Sequence, residues 1–149
     1  MNKPVKIALI KEGKTPPDFR VALTPSQCQE ILQKFPQISI VVESSPIRRF
    51  TDEEYIAAGI PVSHNISDAD IMIGVKEVPE HALITDKTYL FFSHTFKKQP
   101  YNAHLLRAIL EKNIRLVDYE VLKDDTGKRV IGFGRYAGIV GVFEGFRAL

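Results

Sequence analysis

Apolar residues fall along this chain in two alternating patterns. Compact apolar runs recur at Val5–Ile10, Ile38–Val42, Ile71–Val75, Tyr89–Phe92 and Ile114–Val117. Runs this short, with little polar alternation, predict strands buried on both faces. Stretches of helical spacing separate them. Thr24-Pro25-Ser26-Gln27 predicts a helix start: Thr24 is the N-cap, Pro25 suits the first helical position, and Gln27 completes a capping box. Ile31, Leu32 and Phe35 extend its apolar face, and Pro36 stops it. Thr51-Asp52-Glu53-Glu54 repeats the capping box, and Gly59 is placed to end that short helix as a C′ glycine. Asn102–Lys112 carries Leu105, Leu106, Ile109 and Leu110 on one side, with Asn113 as the C′ residue. Asp124–Gly127 predicts a turn, Arg129–Phe133 a further strand, and Tyr136–Leu149 a helix within which the sequence stops. Strands alternating with helices predict the α/β class, a Rossmann-like three-layer domain with a mainly parallel sheet. Without internal repeat or linker, residues 1–149 read as one domain.

Composition narrows the classes. The chain has 149 residues, 44% hydrophobic and 26% charged, which is enough to bury a core and too apolar for a disordered tail. A formal net charge of +2 without a concentrated Lys/Arg patch argues against nucleic acid and anionic membranes as partners. The single cysteine, Cys28, excludes an internal disulfide framework and a Cys-cluster metal site, and fits a reducing, cytoplasmic setting. No apolar run reaches transmembrane length, and Met1-Asn2-Lys3-Pro4 lacks the apolar core of a signal peptide.

Parallel sheets bind ligands beyond the carboxyl ends of their strands. Lys76 and His94 each stand just past such an end. A lysine there either snorkels to solvent or enters a cleft, where it can trade protons. His94 is either a hydrogen-bonded strand-end residue or a proton carrier. Glu77 can offset the Lys76 charge or hold a substrate ammonium. Lys97 and Lys98 form a solvated basic loop or receive a carboxylate. Arg20, between Phe19 and Val21, is an anchored surface group or a bidentate carboxylate binder. Alternation sends Asp118 and Glu120 to one face and Tyr119 to the other, so the two acids either hold a cationic amine or cap a turn. His64, His81 and His104 lack metal-ligand spacing and read as surface residues, and Cys28 reads as packing. Gly132-Phe133-Gly134-Arg135-Tyr136-Ala137-Gly138 is one residue too long for a dinucleotide fingerprint, and its glycines are expected to serve a tight turn and close packing. These residues point to an amino- and carboxylate-binding cleft without naming a reaction.

Five stretches together resemble a known family. They are Lys11-Glu12-Gly13 with Arg20-Val21-Ala22-Leu23-Thr24-Pro25, Gly74-Val75-Lys76-Glu77-Val78-Pro79, Phe92-Ser93-His94-Thr95-Phe96-Lys97-Lys98-Gln99, Arg115-Leu116-Val117-Asp118-Tyr119-Glu120, and Gly132–Gly138. In this order they resemble the N-terminal domain shared by alanine dehydrogenase, the proton-translocating transhydrogenase and lysine-forming saccharopine dehydrogenase. The His94, Asp118 and Phe133 stretches look like the saccharopine branch, especially its lysine-ketoglutarate reductase form. The resemblance implies a reversible, NAD- or NADP-dependent reductive amination in which lysine and 2-oxoglutarate give saccharopine. It implies Lys76 and His94 as the acid/base pair, Arg20 as the substrate-carboxylate ligand, and Glu77, Lys97 and Glu120 as residues that line and tune the site. Members of the family follow this region with a nucleotide-binding domain. The chain is therefore expected to be truncated in a connecting helix, to be inactive alone, and to self-associate through exposed apolar surface. An alanine dehydrogenase domain acting on pyruvate, and a non-enzymatic lysine- or keto-acid-binding module, are the alternatives.

Overall fold

In the computed structural model, which describes residues 4–148, strand β1 (Val5–Leu9) lies at the centre of a six-stranded sheet. It pairs with β2 (Ile38–Glu43) on one side, Val5 opposite Ile38 through Leu9 opposite Val42. On its other side it pairs with β4 (Ile71–Ile73), Ile7 opposite Ile71 through Leu9 opposite Ile73. With β3 (Val62–Ser63), β5 (Thr88–Phe91) and β6 (Arg115–Asp118) the order is β3-β2-β1-β4-β5-β6, and every pairing is parallel. Strand order reverses between β1 and β4, which makes that junction the topological switch point.

Side-chain alternation sorts the strands into two cores. Ala8, Val41, Met72, Tyr89 and Phe91 pack with Leu105, Ala108 and Ile109 of helix α3 (Ala103–Glu111). Leu9, Ile40 and Val42 face the other way, against Cys28 of α1 (Pro25–Lys34) and Tyr55 of α2 (Asp52–Ala57). Helices therefore cover both faces, as the three-layer reading requires. Both predicted capping boxes form, Thr24 with Gln27 and Thr51 with Glu54. Gly59 (φ 76°) and Asn113 (φ 51°) take the left-handed conformation expected past α2 and α3, and Gly127 (φ 82°) takes it in the predicted turn. Cys28 is fully buried, and burial pushes its thiol up to about 11, consistent with a packing role.

Two expectations are corrected and one strand is added. The segment Arg129–Phe133 is not a strand: Arg129 makes an isolated antiparallel bridge to Lys123, and the chain then runs to the last helix, α4 (Gly134–Arg147). β3 was not foreseen, being two residues long. The glycines at 132, 134 and 138 serve neither a tight turn nor close packing, since none has a positive φ and a Cβ on each would meet nothing within 4 Å. Helix α4 buries no residue, and Ile139, Val140, Phe143 and Phe146 lie exposed on it. The predicted end of this helix at Leu149, and the reading of Met1 to Lys3, fall outside the described residues.

Gly74 is the glycine on which the sheet's carboxyl edge depends. A Cβ there would lie 2.9 Å from both Cγ1 and Cδ1 of Ile10. Gly74→Ala is expected to destabilise the fold by about 1–3 kcal/mol through overpacking. Gly138→Ala, in open space within α4, is expected to be neutral or stabilising by up to about 1 kcal/mol. Urea unfolding of the two variants checks this, and equal effects would contradict it.

Candidate active site

The loops leaving β1, β4, β5 and β6 meet at one edge of the sheet. They deliver Arg20, Lys76, His94 and Glu120 to a single open cleft of about 550 Å³, closed on one side by Lys128, Arg129 and Phe133. Four of the six sequence-predicted site residues line it directly. The other two sit beside these: Lys97 Nζ forms an ion pair with Glu120 Oε1 at 3.1 Å, and Glu77 Oε1 lies 3.6 Å from His94 Nε2.

His94 is aimed by its backbone and by its partners. Its φ of 57° places it in the left-handed region, uncommon for a side-chain-bearing residue though more tolerated in His. The next residues form a single 3-10 turn, Thr95–Lys97. The turn is held by Asp118, which is buried at the end of β6. Asp118 Oδ2 accepts from Ser93 Oγ at 2.6 Å, and its Oδ1 accepts from the Glu120 N–H at 3.0 Å. Ser93 Oγ also shares a hydrogen bond with Thr95 Oγ1 at 2.7 Å. Asp118 thus clamps the two turns that carry His94 and Glu120.

Glu120 Oε2 lies 2.7 Å from His94 Nδ1. A carboxylate only accepts, so Nδ1 carries the proton of that bond, and the neutral imidazole keeps its lone pair on Nε2. Lys97 Nζ also lies 3.4 Å from Nδ1, but two donors cannot bond, so the Lys97 contact that matters is the one to Glu120. Burial pushes the Glu120 carboxyl upward, but hydrogen bonds from Lys97 and His94 outweigh it and hold the group below the usual carboxylate range. Glu77 behaves alike. Burial raises it, while Lys14 Nζ at 2.9 Å and the nearby His94 bring it below its ordinary value.

Lys76 lines the cleft, and among the described residues no carboxylate forms an ion pair with its ammonium; Asp18 feels its charge at longer range. Its backbone is held by Glu12, whose carboxylate accepts the Val75 and Lys76 N–H groups at 2.7 and 2.8 Å. Arg20 faces the cleft with its guanidinium 4.8 Å over the Phe133 ring. Its Nε donates to Asp18 Oδ1 at 2.8 Å, and its Nη2 also bonds Asp18, so a substrate carboxylate must use the remaining edge or displace Asp18.

Five residues of this site carry no role in the sequence reading: Glu12, Lys14, Asp18, Lys128 and Arg129. Arg129 Nη2 lies 3.6 Å from Glu120 Oε1 and was placed in a strand that does not form. Asp118 and Glu120 do not act as a pair, since Asp118 caps the turn and Glu120 alone reaches the cleft. Lys98 lies outside the cleft lining, and His64, His81 and His104 are exposed. Among the described residues no cluster of His, Cys, Asp and Glu could hold a metal ion, and no helix is long and apolar enough to cross a membrane. Nor do they form a dinucleotide cradle: β1 runs into Ile10-Lys11-Glu12 rather than a glycine-rich turn, and Glu12 takes the amides at the switch point.

A lowered carboxyl stabilises the fold fully above its unfolded value of 4.5 and loses that contribution as pH falls through the lower folded value. Glu120→Gln is therefore expected to be less stable than the unsubstituted chain at neutral pH. The gap should shrink as pH falls below 4.5. Urea unfolding at both ends of this range checks the sign, and a gap that widens in acid would contradict it.

The alanine dehydrogenase/PNT, N-terminal domain family matches residues 8–140. The chain is 38% identical over 143 residues to the mitochondrial alpha-aminoadipic semialdehyde synthase of Mus musculus, covering 96% of this chain and 15% of that protein. It is 34% identical over 150 residues to the NAD(+), L-lysine-forming saccharopine dehydrogenase of Yarrowia lipolytica, covering 97% of this chain and 40% of that protein. The chain thus spans well under half the length of either relative. A solved L-alanine dehydrogenase superposes with a TM-score of 0.69 at 20% identity, over 83% of this chain and 35% of that one. The transhydrogenase of Sinorhizobium meliloti gives 0.65 at 18%, over 81% and 36%, so these two likenesses establish the fold. The extent of the family match, joined to the relatives' identity over nearly the whole chain, places this protein in the alanine dehydrogenase/PNT N-terminal domain family.

Proposed function

We propose that this chain is the substrate-binding and acid/base domain of a lysine-forming saccharopine dehydrogenase, which joins lysine and 2-oxoglutarate reversibly. The observation that carries the reading is the convergence of Lys76, His94, Arg20 and Glu120 on one cleft. Joining an amine to a keto group moves protons at separate places. The attacking ammonium must lose one, and the departing hydroxyl must gain one to leave as water. Two acid/base groups of different type suit that demand. His94 offers the Nε2 lone pair, held in that tautomer by Glu120. Lys76 offers an ammonium with no ion-pair partner among the described residues.

Saccharopine carries several carboxylates and amines, so a site of mixed charge suits it. Arg20 and Arg129 present guanidinium groups, while Glu77, Glu120 and Lys97 set the charge around the imidazole. An open cleft of about 550 Å³ with both signs of charge favours this substrate over pyruvate, which needs a small closed pocket. NAD or NADP supplies the hydride in this reading.

Isothermal titration of the chain with saccharopine, lysine, 2-oxoglutarate and pyruvate is expected to show binding of saccharopine. Binding of pyruvate alone would defeat the proposal. In the enzyme that carries this domain, Lys76→Met and His94→Gln are each expected to cut kcat by about a hundred-fold to ten-thousand-fold. Arg20→Ala should act mainly on KM. Steady-state kinetics separate these effects, and unchanged turnover in either of the first two variants removes that residue from the mechanism.

A further inference from the structure

Between β1 and β4 the strand order reverses, and there an open α/β sheet leaves a crevice that commonly takes an anionic ligand. In this chain the crevice is filled from within. Glu12 follows β1 and spans it to reach the segment after β4, accepting the Val75 N–H on Oε1 and the Lys76 N–H on Oε2. Each oxygen takes one of two successive amides, so the carboxylate fits the notch bidentately. Gly74 lies against the same carboxylate: a Cβ there would touch Glu12 Oε1 at an ordinary contact distance of 3.5 Å, while pressing on Ile10 at 2.9 Å. A buried carboxylate in such a place is costly unless its lone pairs are satisfied, and these two amides satisfy it. Burial holds the Glu12 carboxyl above its ordinary value, the two amides offset only part of that rise, and Asp18, Arg20 and Tyr119 feel its charge from around the cleft.

We infer that Glu12 is the positioning residue for Lys76, its carboxylate serving as the built-in ligand of the anion notch formed by the Val75 and Lys76 amides and fixing where the Lys76 ammonium enters the cleft. The inference deepens the reading of Lys76 as an acid/base group and rests on it for its effect on turnover. Among the described residues no ion pair guides the Lys76 ammonium, so the fixed backbone at Lys76 limits its reach. Displacing a reacting group by about 1 Å can lower a rate by about a hundred-fold.

The test uses two variants. Glu12→Gln keeps the shape but turns an NH2 group toward one of the two amide donors. Glu12→Ala empties the notch, and formate is small enough to refill it. In the enzyme that carries this domain, Glu12→Gln is expected to lower kcat by about ten- to a hundred-fold with KM little changed. Glu12→Ala is expected to lose kcat similarly and to regain most of it in formate, but not in chloride at equal ionic strength. A purely structural staple would instead lower the unfolding temperature and leave kcat per folded molecule intact, and that result overturns the inference. Loss of kcat that formate does not restore overturns it as well. The notch is also read without turnover, from the amide signals of Val75 and Lys76 in 15N-labelled chain. These should move in both variants and return with formate in Glu12→Ala. If the enzyme proves to act on another substrate, this second readout still stands. If the amide signals ignore both substitutions, the notch fails while the proposed function survives.

Discussion

Parallel strands all release the chain at the same edge of the sheet, and in this fold the loops after β1, β4, β5 and β6 leave it side by side. That constraint assembles the site. Arg20, Lys76, His94 and Glu120 are separated along the chain by as much as 100 positions, yet each needs only a few residues beyond a strand or its loop to reach the cleft. The core's task is to keep the four strands in register. Met72, Tyr89 and Phe91 on one face, and Leu9 and Val42 on the other, do this by filling the two layers between sheet and helices.

Burial brings the strand ends together, and buried hydrogen bonds set the directions. Asp118 ties the His94 turn to the Glu120 turn, and Glu12 ties the β1 exit to the β4 exit. Both are carboxylates that accept backbone or hydroxyl protons, so each is satisfied without an ion pair among the described residues. The remaining polar groups form a connected chain: Lys14 pairs with Glu77, Glu77 lies beside the His94 imidazole, His94 Nδ1 donates to Glu120, and Glu120 pairs with Lys97 and Arg129. Such a chain holds the imidazole in one tautomer and keeps the neighbouring carboxylates ionised. Lys76 stands apart from it, which leaves its ammonium available to a ligand.

What could be read in the sequence follows from the range of each interaction. Strands, caps and C′ residues depend on neighbours a few positions away, and Thr24, Thr51, Gly59 and Asn113 all behave as their local pattern predicts. Lys76 and His94 were visible because a polar residue directly after an apolar run marks a strand's carboxyl end. Glu120 was placed by strand alternation, but β6 ends at Asp118, so the pleat no longer governs the residues beyond it. Arg129 is hidden because Val130 and Ile131 resemble a strand, whereas among the described residues the pairing there is limited to the Lys123–Arg129 bridge and the Val130 N–H bond to the Leu122 carbonyl. Glu12 lies in one of the stretches that resemble the family, but its role is not legible there, since its partners lie 63 and 64 positions away and are backbone amides of any residue type. The left-handed backbone at His94 is likewise set by Asp118 and the turn it clamps.

A crystal structure of the chain with bound saccharopine tests the central claim most directly. The account predicts ligand density in the cleft, with the secondary amine between Lys76 Nζ and His94 Nε2 and a carboxylate against Arg20. Density elsewhere on the molecule, or a ligand that touches neither Lys76 nor His94, would contradict it.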